Sequence, residues 1–409
     1  MGALRLILAL SVVVWHMPGA SFHLMNARAA VVLFFIISGF YMAMVINEKY
    51  ATSDGTPWIK TFYLARFWRL YPAYLALLCV MLIWFYATNS PNLFRDRLPM
   101  SLFEQSALLL SNIFIIGQDL HQFLVRVRVE NAGPQFLLNI VNQIGPDVLS
   151  DPVILIGQAW SLGAEAMFYL IAPFIVRSTR MTAMALGAAL VFRFLLLEVF
   201  GQRSDIWGYF FFPGAVCMFL IGSASYHLGR IAPFKEWHVR IGWAALVAFL
   251  AWFALTAIAD GVVMPPPADP SIDRPRFWIL YALFALSIPF IFQATKRSHF
   301  DREIGEISYP LYLVHGFVLG LVYFRWGAPK NVVPDACAAI AFSLMAAYAM
   351  HRLVELPFER CRQWLSTRPW RLTPSSRIFS QAHAPATEPP AGVVAASQAV
   401  TGDLHYEPK

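Results

Sequence analysis

Charged residues are scarce in this chain. Asp, Glu, Lys and Arg together make up 13% of its 409 residues, whereas hydrophobic residues make up 58%. A water-soluble globular domain usually carries about twice that share of charge, so this class is excluded. Apolar runs of roughly twenty residues, the length that crosses a bilayer, recur until about Arg352. The composition therefore predicts an all-α fold, a polytopic bundle of transmembrane helices.

Cysteine is also rare. Cys79, Cys217, Cys337 and Cys361 are widely separated, and their spacing signals neither a disulfide framework nor a metal site. We therefore expect no metal cofactor. Basic residues outnumber acidic ones and give a net charge of +7, which basic cytoplasmic loops between spans explain. We expect membrane lipid as a partner and no nucleic acid.

Hydropathy and loop charge together predict the topology. The predicted spans are residues 4–20, 29–46, 70–88, 158–176, 182–199, 208–228, 241–258, 277–294, 304–324 and 333–352. With both termini cytoplasmic, the basic loops around Arg177, Arg230 and Arg297 all fall on the inner side. Counting Ser101–Gly117 as an additional span would place these loops outside.

The domain organisation follows from this topology. Residues 1–356 form the transmembrane domain, and residues 89–155 form an external insertion within it. Its apolar pieces, near 106–117 and 135–145, are expected to lie in the interface or to dip into the protein. Residues 357–409 form a cytoplasmic tail that is rich in Ala, Pro, Ser and Thr. We expect this tail to be disordered from about residue 373.

The first predicted span contains two ionisable residues, Arg5 and His16. Eleven residues make about three helical turns, so both side chains share one face and stand about 16 Å apart along the axis. This geometry suits a site entered near Arg5 with chemistry at His16. Two simpler readings remain open, because Arg5 can snorkel to the interface and His16 can mark a helix end.

Two further motifs carry candidate site residues. Ser38 and Gly39 place small side chains in the second span, where close helix packing is the simpler explanation. Arg66 and Arg69 share one side of the inner end of the third span. They could clamp phosphates, although the positive-inside rule also accounts for arginines at this position.

Glu165 is the most specific signal, because it places a carboxylate in an otherwise apolar helix after Trp160 and Ser161. Such a group needs a basic partner, and the ten-span topology puts it at an outer depth similar to that of His16. We therefore predict a His16–Glu165 pair. In the ninth span, Tyr309 and His315 add a hydroxyl and an imidazole; a structural hydrogen bond is the alternative to a functional role for His315.

Taken in order, these motifs resemble the acyltransferase 3 membrane family. The residues that carry the resemblance are Arg5 and His16 with ten residues between them, Phe34–Phe40 (FFIISGF), Arg66-x-x-Arg69, Trp160-Ser161-Leu162-x-x-Glu165-x-x-Phe168-Tyr169, Ile307–His315 (ISYPLYLVH) and Val354-Glu355-x-Pro357-Phe358. The resemblance implies transfer of an acyl group, usually acetyl from acetyl-CoA, to a sugar hydroxyl of a surface polysaccharide or lipopolysaccharide. It further implies a multi-pass protein of the bacterial inner membrane.

The resemblance also implies roles for single residues. His16, Glu165 and Arg5 become the catalytic candidates, with Glu165 orienting the imidazole, and Arg66 and Arg69 become the candidate ligands of the acyl-CoA phosphates. The candidate substrate-binding residues are Ser38, Trp160, Ser161, Tyr309 and His315. Direct transfer and an acyl-histidine intermediate are both consistent with this assignment.

Two departures from the family pattern matter. Many members carry a soluble hydrolase-like domain after the last span, and the tail of this chain is too short for one, so we expect membrane helices and loops to select the glycan acceptor. The family commonly has Trp before the ninth-span histidine, where this chain has Val314. A transporter or flippase is the rival interpretation, although no duplicated halves are evident. A non-catalytic partner of polysaccharide synthesis would leave the buried Arg, His and Glu unexplained.

Overall fold

The computed structural model describes residues 1–17, 24–50, 58–88, 106, 110, 112–143, 155–231, 238–263, 273–326 and 332–360. Within these ranges the chain is helical and contains no strand. Residues 1–363 form one compact unit. The predicted all-α fold is confirmed.

Thirteen α-helices lie within the described residues. They are α1 (Gly2–Trp15), α2 (Ala27–Val45), α3 (Trp58–Ala87), α4 (Gln118–Val129), α5 (Gln135–Gln143), α6 (Trp160–Ile175), α7 (Thr179–Phe194), α8 (Ser204–Trp207), α9 (Phe212–Ile231), α10 (His238–Val263), α11 (Pro275–Thr295), α12 (His299–Trp326) and α13 (Val332–Met350). Short π-helical segments extend three of them, Ile46–Tyr50 after α2, Leu195–Val199 after α7 and His351–Glu355 after α13.

Each of the ten predicted spans coincides with one of these helices. Among the described residues, six helical stretches are long and apolar enough to cross a membrane. These are Ala27–Tyr50, Trp58–Ala87, Thr179–Val199, Pro275–Thr295, His299–Phe324 and Pro334–Arg360. The shorter stretches Gly2–Trp15 and His238–Trp252 are apolar as well.

Helix α3 begins earlier than the predicted third span. It starts at Trp58 and not at Leu70, because no helix-breaking residue interrupts the chain between them, although Lys60, Arg66 and Arg69 lower the hydropathy. Its 30 residues extend about 45 Å, which exceeds the thickness of a bilayer core. Both arginines therefore belong to the early, basic turns of a long helix.

Glycines allow the closest helix contacts in the core. A Cβ atom added to Gly39 of α2 would lie 1.8 Å from the Phe219 carbonyl oxygen of α9, and one added to Gly222 would lie 1.9 Å from the Ile36 oxygen. The backbones of α2 and α9 therefore touch, as small residues permit in membrane bundles. The packing role expected for the Ser38-Gly39 pair is confirmed for its glycine.

Asp301 fixes the start of α1. Its carboxylate accepts hydrogen bonds of 2.9 Å from the backbone amides of Gly2 and Ala3. A carboxylate at a helix N-terminus satisfies free amide groups and interacts favourably with the helix dipole. Because Asp301 belongs to the first turn of α12, this contact fixes the position of α1, and with it Arg5, along the axis of α12.

The described part of the external insertion packs on the bundle. Tyr74 of α3 donates a hydrogen bond to the Asn112 carbonyl oxygen (2.5 Å), and Trp207 donates one to the Ala132 oxygen (3.0 Å). Helix α4 lies against α6 at Gly163, where an added Cβ would meet the Asp119 amide nitrogen at 2.9 Å. The described residues leave out most of 89–111 and all of 144–154. They also leave out the tail from residue 373, the segment that we expected to be disordered.

Candidate active site

A cavity of about 550 Å³ lies among α1, α2, α3, α6, α11 and α12. Seven of the residues singled out in the sequence line it: Arg5, Ser38, Arg66, Arg69, Ser161, Glu165 and Tyr309. Exposed Lys296 and Arg302 line it as well, so it reaches the surface at the end where Arg5 lies.

Arg5, Arg66 and Arg69 bring three guanidinium groups to this cavity in addition to that of exposed Arg302. Within the described part of the chain, the one carboxylate within 4.0 Å of them is Glu355, which reaches Arg69 at 4.0 Å. The Arg69 guanidinium also lies over the Tyr309 ring, 5.5 Å from its centroid. Arg66 lies 5.8 Å from the Tyr169 ring centroid, and its buried Nε has no hydrogen-bond acceptor among the described residues. Arg5 likewise forms no ion pair there. Such a cluster is suited to binding an anionic ligand.

Glu165 points into the same cavity. Its Oε1 accepts a hydrogen bond of 2.6 Å from the Ser38 hydroxyl and another of 2.5 Å from the Tyr169 hydroxyl. Tyr169 lies one helical turn after Glu165 on α6, which brings its hydroxyl to the carboxylate. Ser38 thus has a polar contact in addition to the close packing at Gly39.

The predicted His16–Glu165 pair is wrong, because the two side chains lie at different depths. Ser161, four residues before Glu165, hydrogen-bonds with Tyr312 at 2.7 Å, whereas His16 contacts His315, three residues beyond Tyr312. Helices α6 and α12 run in opposite directions here, so these offsets add to about 10 Å along the axis. Hydropathy indicates how deep a residue lies within its own helix, but it does not indicate how far neighbouring helices are shifted along their axes relative to one another.

His16 lies at the C-terminal end of α1, outside the cavity lining, and its side chain is exposed. Its Nδ1 lies 2.8 Å from the Val12 carbonyl oxygen. A carbonyl only accepts hydrogen bonds, so Nδ1 carries the hydrogen and Nε2 of the neutral ring keeps a free lone pair. The orienting acceptor sought in Glu165 is therefore a backbone carbonyl. A ring held in this way can take up a proton or attack an electrophile at Nε2.

The remaining substrate-binding candidates divide between the cavity and its surroundings. Ser161 and Tyr309 line the cavity, and the Tyr309 hydroxyl donates to the Leu70 carbonyl oxygen at 2.8 Å. His315 is 1% exposed, with Nδ1 2.6 Å from the Tyr312 oxygen, so the structural hydrogen bond considered for it is present. Trp160 is 6% exposed and packs against Tyr209, with ring centroids 4.7 Å apart, away from the cavity.

Sequence reasoning missed two hydroxyls of the site. Tyr169 donates a hydrogen bond to Glu165, and Tyr312 hydrogen-bonds with Ser161 in the part of the cavity lining that is nearest to the His16–His315 contact. Their signals were present, since Tyr169 follows Glu165 at i+4 and Tyr312 stands within the motif that contains His315. Across the ranges that the structure describes, no three His, Cys, Asp or Glu side chains form a metal-binding group.

Comparison with known proteins places this geometry in a family. An uncharacterized protein of Aquifex aeolicus (strain VF5) is 22% identical over 212 residues, which cover 51% of this chain and 89% of that protein. No solved structure matches the chain. A family model described as an acyltransferase domain matches residues 1–352, which include Arg5, His16, both α3 arginines and Glu165. The chain therefore belongs to the acyltransferase 3 family of membrane acyltransferases.

Proposed function

We propose that this protein is an O-acetyltransferase of the bacterial inner membrane that moves an acyl group, acetyl in the first instance, from cytoplasmic acyl-CoA to a hydroxyl of a surface-glycan sugar. One observation carries the proposal. Helix α1 places Arg5 in a cavity that Arg66 and Arg69 also line and, at its other end, holds exposed His16 with a free Nε2. Membership of the acyltransferase 3 family supports the same class of reaction, acyl transfer.

The donor side follows from the charge. Coenzyme A carries several phosphate oxygens, and guanidinium groups bind phosphate through paired hydrogen bonds. Arg66 has no ionic partner among the described residues, and Arg69 has a single carboxylate at 4.0 Å. These two residues, with Arg5 beside them, bind the phosphates, while exposed Lys296 and Arg302 attract the polyanion to the opening. The basic residues at this end favour the cytoplasmic side for it under the positive-inside rule.

The acceptor side follows from His16. Its Nε2 takes the proton of the sugar hydroxyl as the oxygen attacks the thioester carbon; the carbon–sulfur bond then breaks and the thiolate of coenzyme A takes up the proton. Val12 holds the Nδ1 hydrogen, so the imidazole keeps its orientation while Nε2 changes protonation. Because His16 lies beyond the cavity, the thioester end of the donor passes the Ser161–Tyr312 hydrogen bond to reach it.

Purified protein in detergent and mass spectrometry of the host surface glycans test this function together. We expect acetyl-CoA to be consumed with acetylation of an isolated glycan acceptor, and acetyl groups to disappear from the surface glycan of a deletion strain. Complementation with the wild-type gene is the positive control, and His16→Ala is the negative one. Flux of a solute into vesicles without any acyl transfer would contradict the proposal and favour a transporter.

A further inference from the structure

The Glu165 carboxylate has one occupied oxygen and one free oxygen. Both hydrogen bonds, from Ser38 and from Tyr169, go to Oε1. In the described part of the chain nothing donates to Oε2, and Glu165 lines the cavity. The two hydroxyls thus hold the carboxylate in one orientation and leave a strong acceptor facing the space where a ligand would lie.

The height of this acceptor within the cavity decides what it can meet. Glu165 accepts a hydrogen bond from Tyr169, and the Arg66 guanidinium lies over the ring of that tyrosine. The carboxylate is therefore next to the arginines that we propose to bind the phosphates. On the other side, Ser161 and Tyr312 separate it from His16. The free oxygen therefore lies along the path between the phosphates of a bound acyl-CoA and its thioester, too far from His16 to orient the imidazole.

The part of acyl-CoA that spans this path is the pantetheine arm, which contains two amide groups. An amide N–H in a membrane interior is costly without an acceptor. Among the neighbouring side chains Phe34, Phe35 and Ile37 are apolar, and the Ser38 and Tyr169 hydroxyl oxygens are neutral acceptors. A charged carboxylate oxygen is among the strongest acceptors available to such a group.

On the basis of the proposed function, we propose that Oε2 of Glu165 accepts a hydrogen bond from an amide N–H of the pantetheine arm of the donor. Glu165 is then the residue that recognises the arm, separately from the arginines that recognise the phosphates. Substitution by Gln keeps the shape and the acceptor toward Ser38 and Tyr169, but it turns the free acceptor into an NH₂ donor. An amide N–H facing it loses its partner.

Two ligands separate the arm from the phosphates: coenzyme A, and adenosine 3′,5′-bisphosphate, which has phosphates but no pantetheine. We expect Glu165→Gln to weaken binding of coenzyme A by roughly tenfold, while binding of the bisphosphate changes by less than about threefold. Arg66→Gln should weaken both. Glu303→Gln is the matched control, because Glu303 is exposed on α12 outside the cavity lining and its loss removes the same charge. We expect it not to weaken either ligand.

Tyr169→Phe provides a second variant that keeps the carboxylate and loosens its orientation. It should lose affinity for coenzyme A, by less than Glu165→Gln does, and retain the bisphosphate. Melting temperatures in detergent report folding of every variant. If Glu165→Gln weakens the binding of both ligands equally, or leaves the affinity for coenzyme A unchanged, the inference is overturned and the proposed function is not. If wild-type protein binds neither ligand, the proposed function fails and the inference fails with it.

Discussion

The imidazole rings of His16 and His315 lie 5.2 Å apart between centroids. Each ring directs Nδ1 to a backbone carbonyl of its own helix, Val12 for His16 and Tyr312 for His315. Both neutral rings therefore keep Nε2 free of hydrogen. His315 is buried and His16 is exposed, so the proposed function assigns the contact with the acceptor to His16.

Replacement of His16 tests the chemical step directly. We expect His16→Ala to abolish acyl transfer while expression and melting temperature stay near wild type, since its exposed side chain contributes little to packing. His16→Gln, which keeps hydrogen bonding without a titratable nitrogen, should be equally inactive. His299→Ala is the control, because His299 is 80% exposed on the first turn of α12. Turnover by His16→Gln within a few-fold of wild type would instead indicate a positioning role.

The arginines should act on donor binding. We expect Arg66→Gln to raise KM for acyl-CoA by roughly tenfold or more with a smaller effect on kcat, since phosphate contacts remote from the thioester serve ground and transition states alike. Arg66→Lys should restore only part of the affinity, because a point charge replaces a fork of donors. Arg180→Gln, at an exposed position on α7, is the control. A wild-type KM for Arg66→Gln would place the phosphates elsewhere.

Arg193 should be important for stability. It is 2% exposed. Its Nη2 donates to both carboxylate oxygens of Asp273 at 2.7 Å, and its Nη1 donates to the carbonyl oxygens of Gly208 and Gly214. Arg193→Ala removes a bidentate donor to the part-buried Asp273 carboxylate and the donor to two backbone carbonyls, and should cost about 3–5 kcal/mol of unfolding free energy. Arg203→Ala, with a side chain 47% exposed, should cost about 1 kcal/mol or less in the same denaturation experiment.

Asp205 should make stability depend on pH. Burial tends to raise the pKa of its carboxyl, but hydrogen bonds from Arg203 and the charge of Arg28 outweigh burial and hold the pKa below its usual range. A lowered pKa stabilises the fold above the unfolded-state value, and that stabilisation disappears as pH falls through the lowered value. We therefore expect Asp205→Asn to melt below wild type at neutral pH and the gap to close in acid. A gap that persists in acid would assign the effect to packing, and exposed Glu303→Gln should show no gap at either pH.

Accessibility from outside tests the ten-span topology. In a background without native cysteines, Gln135→Cys on α5 should react with an impermeant thiol reagent added to intact cells, and Arg180→Cys should not. Both positions are exposed, so lack of labelling cannot be assigned to burial. Labelling of Arg180→Cys would mean that the insertion contains another crossing and that Lys296 and Arg302 face outward.

The sequence was sufficient for some features of this molecule and insufficient for others, for physical reasons. Hydropathy located every predicted span on a helix, because lipid requires continuous apolar surface and satisfied backbone groups. The motifs also singled out Arg5, Arg66, Arg69 and Glu165, which the structure brings around one cavity, although Glu165 was expected beside His16. Contacts between distant segments were not predictable in this way. Arg193 gave no local signal of its pairing with Asp273, which lies 80 residues later.

The contact between α2 and α9 also determines where the Ser38 hydroxyl lies. Gly39 is the neighbour of Ser38, and its backbone contact with Phe219 fixes how far α2 can move from α9. A single methyl group at Gly39 or Gly222 would push the helices apart and carry the Ser38 hydroxyl away from Glu165. In a genetic screen for loss of function, alanine at either glycine would therefore be indistinguishable from a lesion in the active site. Mapping such mutations would make the catalytic region look larger than the part that the substrate touches.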